Sequence, residues 1–397
     1  MRKASHPLAV LTLLVLGAAT LAAQDAQELL KSFKRNFVIA SLEVKIQIVQ
    51  DAAKTGSREM GPLYQQAVDF VLDNYSYLDV EQRFRVLGVA AVDQIRATGY
   101  GEARYPVWKL FQTDSSQDLR LSCLNALAVI GKGDPETVQN LNLWLMAQNT
   151  VFQTGKVPDV PVILAAVRAL GSLGDASSFS ALFATMNLGY PEEVTRASRQ
   201  ALQSISGDLK ASYLDVLKTR PLPEKRLALE MALGSDRLSD NDKGELAELA
   251  LDMGLHTAAA DNQFKAAARE LRFSAAKALG ARKWSRATAL AIEHFNTLLL
   301  EHEHGLADRR FLVEAIDCLG SMGTHEAAVR LTQHLIQLNS YTETVREFDS
   351  VIVLSIVQNL GRLGDKVAFD DLMYMEYLTY PNEIKAAARK VRSSLKW

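Results

Sequence analysis

Two short stretches of the chain are near copies of each other: Ala169-Leu170-Gly171-Ser172-Leu173-Gly174-Asp175 and Asn359-Leu360-Gly361-Arg362-Leu363-Gly364-Asp365. They lie 190 residues apart, and the correspondence continues without a gap from Phe179 and Phe369 to Arg199 and Arg389. Chance does not produce a match of this length. The sequence therefore predicts a repeat protein.

Weaker copies of the same pattern give the length of the repeat. They are Ala126-Leu127-Ala128-Val129-Ile130-Gly131, Ala278-Leu279-Gly280 and Cys318-Leu319-Gly320. The spacings are 40 residues from 278 to 318, 41 from 318 to 359, and 43 from 126 to 169. A period close to 40 residues is typical of repeats built from helix pairs.

The segment from 160 to 205 indicates how one repeat folds. Its first helix carries an apolar face and ends at Gly174, where glycine supplies a left-handed conformation. A second helix runs from about 176 to 188, and Pro191 begins a third, where a missing N–H costs nothing. A helix pair cannot bury its apolar surface alone, so neighbouring pairs must stack into a continuous core, with Gly171 permitting close approach of two backbones.

The composition agrees with an all-helical chain. Only 10 Pro and 22 Gly occur among 397 residues, and 48% of the residues are hydrophobic. The formal net charge of -2 argues against nucleic-acid binding, which needs a strongly basic surface. We therefore expect an all-α protein, an α-solenoid (superhelix) of stacked antiparallel helix pairs numbering roughly nine or ten.

The stretch from Val167 to Asp175, followed by Val194 to Leu202, resembles the HEAT-repeat family in its short bacterial variety. The resemblance implies a HEAT/armadillo-like solenoid that acts as a scaffold or a peptide-binding surface. It covers residues 117–397 well and residues 26–116 only by helical pattern.

We expect a signal peptide at 1–23, divergent repeats at 24–116 and HEAT-like repeats at 117–397, continuous as one solenoid. The resemblance implies a structural role for eight repeat positions, which are Gly171, Gly174, Asp175, Arg199, Gly361, Gly364, Asp365 and Arg389.

The first residues have the layout of a secretory signal peptide. Arg2 and Lys3 precede an apolar run from Leu8 to Leu16, and small residues follow. The run is shorter than the roughly 20 residues that span a bilayer. We expect cleavage near Ala22 or Ala23, a periplasmic or secreted protein, and no stable membrane span afterwards, with an uncleaved anchor as the alternative. No cysteine lies near the cleavage point, which argues against a lipoprotein.

The only two cysteines of the sequence, Cys123 and Cys318, are predicted to be free thiols. About five repeats separate them, and stacked helices lie roughly 8–10 Å apart. That span far exceeds the limit of about 7 Å between the Cα atoms of a disulfide. The scarcity of cysteine favours a bacterial periplasm.

No catalytic, cofactor or metal site is predicted. His302-Glu303-His304 resembles a metal cluster, but residues two apart on a helix point to different sides. Convergence of Glu293, His294, Glu301 and His302 across a helix end is a weaker possibility. The sequence has no phosphate-binding glycine loop of the P-loop kind and no Gly-x-Ser-x-Gly elbow.

Charge is concentrated in two neighbouring runs. Residues 265–286 hold seven basic residues and one acidic residue, and residues 236–252 hold six acidic and two basic residues. One interpretation is that the two runs compensate each other across neighbouring repeats. The other is that a basic stripe binds an acidic protein segment or an anionic polymer, with a tryptophan as anchor. The candidate residues are Lys265, Arg269, Arg272, Arg282, Lys283 and Trp284.

Two further regions are candidates for partner binding. The segments after Asn149 and Asn339 correspond at the 190-residue offset and are predicted to form longer connections. One interpretation places these connections, with Phe152 and Tyr341, on one functional rim of the solenoid. The other is that both are inherited from a duplicated block of about four helix pairs and have no selected role. The chain also ends in a basic run at Lys385, Arg389, Lys390, Arg392 and Lys396, followed by Trp397. Terminal repeats need a polar outer face, so this run is interpreted as a cap. Trp397 either packs back onto the final repeat or docks a partner through its ring.

The expected function is that of a non-catalytic exported scaffold or adaptor, which binds another cell-envelope protein through an extended solenoid surface. The alternative is binding of an anionic envelope polymer or lipid through residues 265–286. A remote alternative is an enzyme, suggested by the HEAT-like lyases that act on bilin chromophores.

Overall fold

The computed structural model describes residues 25–156, 158–258, 261–345 and 347–396. The predicted signal peptide and Trp397 lie outside these residues. The described residues form α-helices joined by turns and short 3-10 segments, and they contain no β-strand. The α-helices are α1 (25–39), α2 (Leu42–Lys54), α3 (Gly61–Asp73), α4 (Gln82–Thr98), α5 (Arg104–Thr113), α6 (Gln117–Ile130), α7 (Pro135–Gln153), α8 (Val160–Leu173), α9 (Phe179–Asn187), α10 (Glu192–Ser204), α11 (Leu209–Thr219), α12 (Leu222–Leu233), α13 (Asp240–His256), α14 (Asn262–Ala281), α15 (Thr288–Glu303), α16 (Arg309–Ser321), α17 (His325–Val345), α18 (Ser350–Leu363), α19 (Phe369–Tyr374) and α20 (Asn382–Ser394).

The chain divides into two compact units, Met1–Gly207 and Asp208–Trp397. In the first unit, α2, α4, α6, α8 and α10 stack one after another in one layer, and α3, α5, α7 and α9 pack against them. In the second unit, α12, α14, α16, α18 and α20 form one layer, and α11, α13, α15, α17 and α19 form the other. The predicted fold class, an all-α, solenoid-like stack of helix pairs, is confirmed.

The repeated Gly-Asp turn has the same geometry in both units. Gly174 and Gly364 end α8 and α18 in the left-handed conformation, with φ of 67° and 69°. The aspartate that follows each glycine accepts a hydrogen bond at 2.9 Å from the backbone N–H two residues later, so Asp175 and Asp365 each begin a short 3-10 segment. The turn thereby reverses the chain between the two layers.

Small residues allow neighbouring helices of one layer to touch. A Cβ atom added at Gly171 of α8 would lie 2.8 Å from the Cβ of Ala201 on α10. A Cβ atom at Gly361 of α18 would lie 2.8 Å from a methyl group of Val391 on α20. Both distances are shorter than real Cβ contacts, so these two positions require glycine, as expected from the sequence.

The longer connections predicted after Asn149 and Asn339 begin later than the sequence indicated. Helix α7 continues to Gln153 and α17 to Val345, so the residues directly after both asparagines are helical, and the next helices begin only at Val160 and Ser350. The reason is that the two asparagines are buried and use their side chains in the interior. Asn149 donates to the hydroxyl of Thr185 at 2.9 Å, and Asn339 donates to the carbonyl of Asp371 at 3.2 Å. Neither amide is free to compete for the backbone groups of its own helix.

Within the described ranges, no helix is both long and apolar enough to span a membrane.

Candidate functional site

The predicted basic stripe is not a continuous exposed surface. Arg269 and Arg272 of α14 both pair with Glu301 of α15, at 2.7 and 2.8 Å. Only 4% of Arg272 is exposed, and its guanidinium also donates to the carbonyl of Gly254 at 3.3 Å. Lys265, Arg269 and Arg272 are spaced by four and three residues and form the stripe. The two arginines hold α13, α14 and α15 together, and of the three residues only Lys265 is exposed.

The other half of the basic segment pairs with the acidic run on α13. The indole N–H of Trp284 donates to Glu248 at 2.8 Å, and its ring lies against Gly244, where a Cβ atom would be 2.6 Å away. Arg286 also pairs with Glu248, at 2.7 Å. Here the interpretation of charge compensation between neighbouring repeats is correct. Trp284 is a half-buried packing residue rather than an exposed anchor.

The environments of Arg282 and Lys283, the other two candidates of this segment, differ from each other. Arg282 donates to the carbonyl of Ala278 at 3.1 Å and lies 4.0 Å from Asp240. Lys283 is exposed and adopts a positive φ of 50° at the turn after α14.

The four residues considered for a metal do not converge. His294 is fully buried and lies 3.5 Å from Glu314, whereas Glu293 faces His256 at 3.1 Å and Glu301 holds the two arginines. His302 instead contacts the carbonyl of Ala307 at 3.0 Å. Among the described residues, no group of three or more histidine, cysteine or acidic side chains is placed to hold a metal ion.

The His294–Glu314 contact lies in the core of the second unit. Burial lowers the pKa of His294 to about 3, and the positive charge of Arg272 acts in the same direction. Burial also raises the pKa of the Glu314 carboxyl well above its usual range. Burial therefore favours the uncharged form of each of the two groups.

The two aromatic residues predicted on one rim have different environments. Phe152 stacks on Tyr190 with ring centroids 4.1 Å apart, so it is a packing residue of the first unit. Tyr341 is 49% exposed and lines an open depression of about 570 Å³ beside the Arg309–Asp349 ion pair. Of the two, only Tyr341 offers an exposed aromatic ring.

The sequence interpretation missed an exposed apolar cluster on α19 and the turn after it. Phe369 and Met373 are each 40% exposed, and Tyr377 is 79% exposed. At the 190-residue offset, Phe369 corresponds to Phe179 and Met373 to Phe183, which are 2% and 0% exposed. The same two repeat positions are thus buried in one copy and uncovered in the other.

The orientation of α19 explains this exposure. Tyr374 forms a side-chain hydrogen bond with Glu343 of α17, so it faces the preceding helix of its layer. Leu372 is buried in the core. At 3.6 residues per turn, Phe369 and Met373 lie on the side of α19 that faces away from α17.

Basic side chains of α20 border the same cluster. Lys385, Arg389 and Arg392 are spaced by four and three residues and therefore share one face of α20, whereas Lys396 lies beyond the end of that helix. The guanidinium of Arg392 lies 5.9 Å from the ring centroid of Phe369, and Arg389 pairs with Glu376 at 3.3 Å. We define the end face as Phe369, Met373, Tyr377, Arg389 and Arg392. The predicted structural arginine Arg389 belongs to it, whereas its counterpart Arg199 is an exposed residue of α10.

The 190-residue offset could have pointed to Phe369 and Met373 as repeat core positions. Their exposure, however, depends on how other helices pack against α19, which no residue pattern encodes.

Comparison with known proteins adds little to this geometry. No protein-family model matches the chain, and no curated protein matches it. A solved structure titled "Computational Design of Self-Assembling Cyclic Protein Homooligomers" aligns with 89% of this chain and 94% of its own chain, at 11% sequence identity and a TM-score of 0.11. A similarity this low supports no statement about function.

Proposed function

We propose that this protein is a non-catalytic scaffold or adaptor of the bacterial cell envelope, built from HEAT-like repeats, which binds another protein through an exposed surface of its helix stack. The observation that supports the proposal is the end face. Phe369, Met373 and Tyr377 form a cluster of large apolar side chains that are 40% exposed or more. Aromatic residues, methionine and arginine are the types enriched in the centres of protein interfaces.

The alternative, binding of an anionic polymer or lipid through residues 265–286, has weaker support. Arg269 and Arg272 already neutralise Glu301, and Arg286 neutralises Glu248. An anionic ligand would have to displace these carboxylates. Recruitment of Arg272 would also expose an arginine that is 4% accessible.

The experiment is site-specific photo-crosslinking in intact cells. A photoreactive phenylalanine analogue replaces Tyr377, and in the matched control it replaces Tyr105, which is 66% exposed on α5 of the first unit. We expect a discrete crosslinked protein from position 377 and none from position 105. Mass spectrometry then identifies the captured protein.

The proposal is overturned if position 377 gives no adduct, or if both positions give the same adducts, which would indicate random collision. The envelope location is tested on the same cells. Protease added after the outer membrane is opened should degrade the protein, and survival of the protein would contradict export.

A further inference from the structure

We propose that one edge of the first unit binds the surface of an anionic lipid bilayer, into which the apolar side chains of two neighbouring connections insert. The connections join α1 to α2 and α3 to α4, and they carry five large side chains that are each more than half exposed. We define the apolar edge as Val38, Ile39, Tyr75, Tyr77 and Val80. This inference goes beyond the proposed scaffold function, because it concerns the first unit and not the end face of the second.

The two connections lie next to each other. Both lead into the layer that contains α2 and α4. Glu43 in the first turn of α2 lies 4.0 Å from Arg83 in the first turn of α4. Behind them, a row of three phenylalanine rings, one each from α1, α3 and α4, joins the connections, and Tyr77 stacks on the last ring, that of Phe84. The five side chains therefore belong to one region of the surface.

The aliphatic side chains of this edge protrude as separate tips. Ile39 and Val80, on different connections, are 85% and 83% exposed. The backbone beside Ile39 is held in place, because the buried ammonium of Lys45 donates to the carbonyls of Phe37 and Val38. A protein partner would need a matching pocket for each tip, whereas the acyl region of a bilayer accepts apolar side chains without a matching shape.

The two tyrosines fit the same environment. Tyr75 and Tyr77 lie on the connection that carries Val80, and each ring is more than half exposed. Tyrosine is enriched at membrane–water interfaces, because its ring is apolar and its hydroxyl is polar. The apolar edge thus combines aliphatic tips with the aromatic residue type that lies at the level of the lipid headgroups.

Charge complementarity favours an anionic lipid surface. Three basic side chains of the second half of α1 precede the connection that carries Ile39, and within the described residues no carboxylate pairs with them. They are Lys31, Lys34 and Arg35. The nearby acidic residues are already engaged, since Asp79 pairs with Arg85 at 2.6 Å. Glu81 likewise pairs with Arg83 at 2.9 Å. The free cations of this edge are therefore available to lipid phosphates.

The test places an environment-sensitive fluorophore at position 39 of the full chain. Both native thiols are buried, so a maleimide dye labels the new thiol of Ile39→Cys, and circular dichroism verifies that the variant is folded. The matched control is Val129→Cys, at an exposed valine of α6. Vesicles contain equal parts of phosphatidylcholine and phosphatidylglycerol, or phosphatidylcholine alone. We expect the label at position 39 to brighten and shift to shorter wavelength only with the anionic vesicles, and the label at position 129 to respond to neither.

A charge variant tests the role of α1. In the labelled Ile39→Cys protein, Lys34→Glu together with Arg35→Glu should weaken vesicle binding about tenfold or more. Added salt should weaken the binding of the unaltered charges as well. The matched control is Lys132→Glu together with Arg168→Glu, at exposed positions of the first unit, which should leave binding unchanged.

Each of four results overturns the proposal. The label at position 39 could fail to respond to anionic vesicles. An equal response with phosphatidylcholine alone would contradict the charge argument, and an equal response at position 129 would indicate unspecific adsorption. A response to lipid-free envelope proteins but not to vesicles would assign the apolar edge to a protein partner. The scaffold proposal is judged separately, because its crosslink is made from position 377.

Discussion

The guanidinium of Arg272 lies 2.8 Å from the carboxylate of Glu301 inside the second unit, and the same carboxylate holds Arg269 at 2.7 Å. A single half-buried acid on α15 thus satisfies two cations of α14. Such an arrangement stabilises the fold only while it is complete, because a buried charge without a partner is costly.

We therefore expect Glu301→Gln to destabilise the second unit by about 3–5 kcal/mol, since it leaves Arg272 buried without its counter-charge. Guanidinium denaturation followed by circular dichroism measures the change. The matched control is Glu192→Gln in the exposed Arg196–Glu192 pair, which should not shift the midpoint measurably. Equal effects of the two substitutions would contradict the structural role of Glu301.

Helix contact through glycine gives a second prediction. Gly171→Ala should destabilise the protein by about 1–3 kcal/mol, because the new methyl group meets the backbone and side chain of Ala201 on α10. Gly234→Ala is the control, since its nearest neighbour would be a carbonyl oxygen of its own chain at 3.5 Å. We expect that substitution to be neutral or slightly stabilising. A neutral Gly171→Ala would mean that α8 and α10 are not in close contact.

The His294–Glu314 pair predicts opposite pH dependences for two variants. The folded protein holds His294 neutral down to about pH 3, whereas the unfolded chain gains its proton below about 6.5. Stability is therefore lost as the pH falls below 6.5, and His294→Gln should remove this loss. The free energy of unfolding of His294→Gln, relative to that of the wild type, should rise by up to about 1.4 kcal/mol for each pH unit below 6.5.

Glu314→Gln should show the reverse. The raised pKa of Glu314 contributes stability that is complete below about 4.5 and is lost as the pH rises through the folded pKa. The free energy of unfolding of Glu314→Gln, relative to that of the wild type, should therefore rise with rising pH. Denaturation at several pH values between 4.5 and 7.5 measures both trends. His304→Gln, at an exposed position, is the control for the loss of a histidine.

The two cysteines are free and buried, as the sequence predicts. Burial raises the pKa of both the Cys123 and the Cys318 thiols, which leaves little thiolate to react. We expect a maleimide reagent to label native protein slowly and to label two thiols per chain rapidly in denaturant. Rapid labelling of native protein would show that one thiol is exposed, and a total below two would indicate oxidation.

The sequence by itself determined the helical class, the repeat length and the turns. Gly174 and Gly364 were identifiable because a left-handed helix end favours glycine, and Gly171 and Gly361 because helices in contact leave no space for a side chain. Each of these requirements acts locally or between adjacent repeats, so each leaves a residue type at a fixed spacing.

Only the tertiary structure decided which charged and apolar residues are available for binding. The sequence pattern placed Arg269 and Arg272 in one basic stripe, but in the structure both pair with Glu301, about thirty residues away, and Arg272 is buried. It also aligned Phe369 with Phe179, yet one ring is exposed and the other is not. The physical reason is that the exposure of a side chain depends on whether a neighbouring helix covers it. Amphipathic periodicity indicates which residues share a helical face, but it does not indicate what packs against that face.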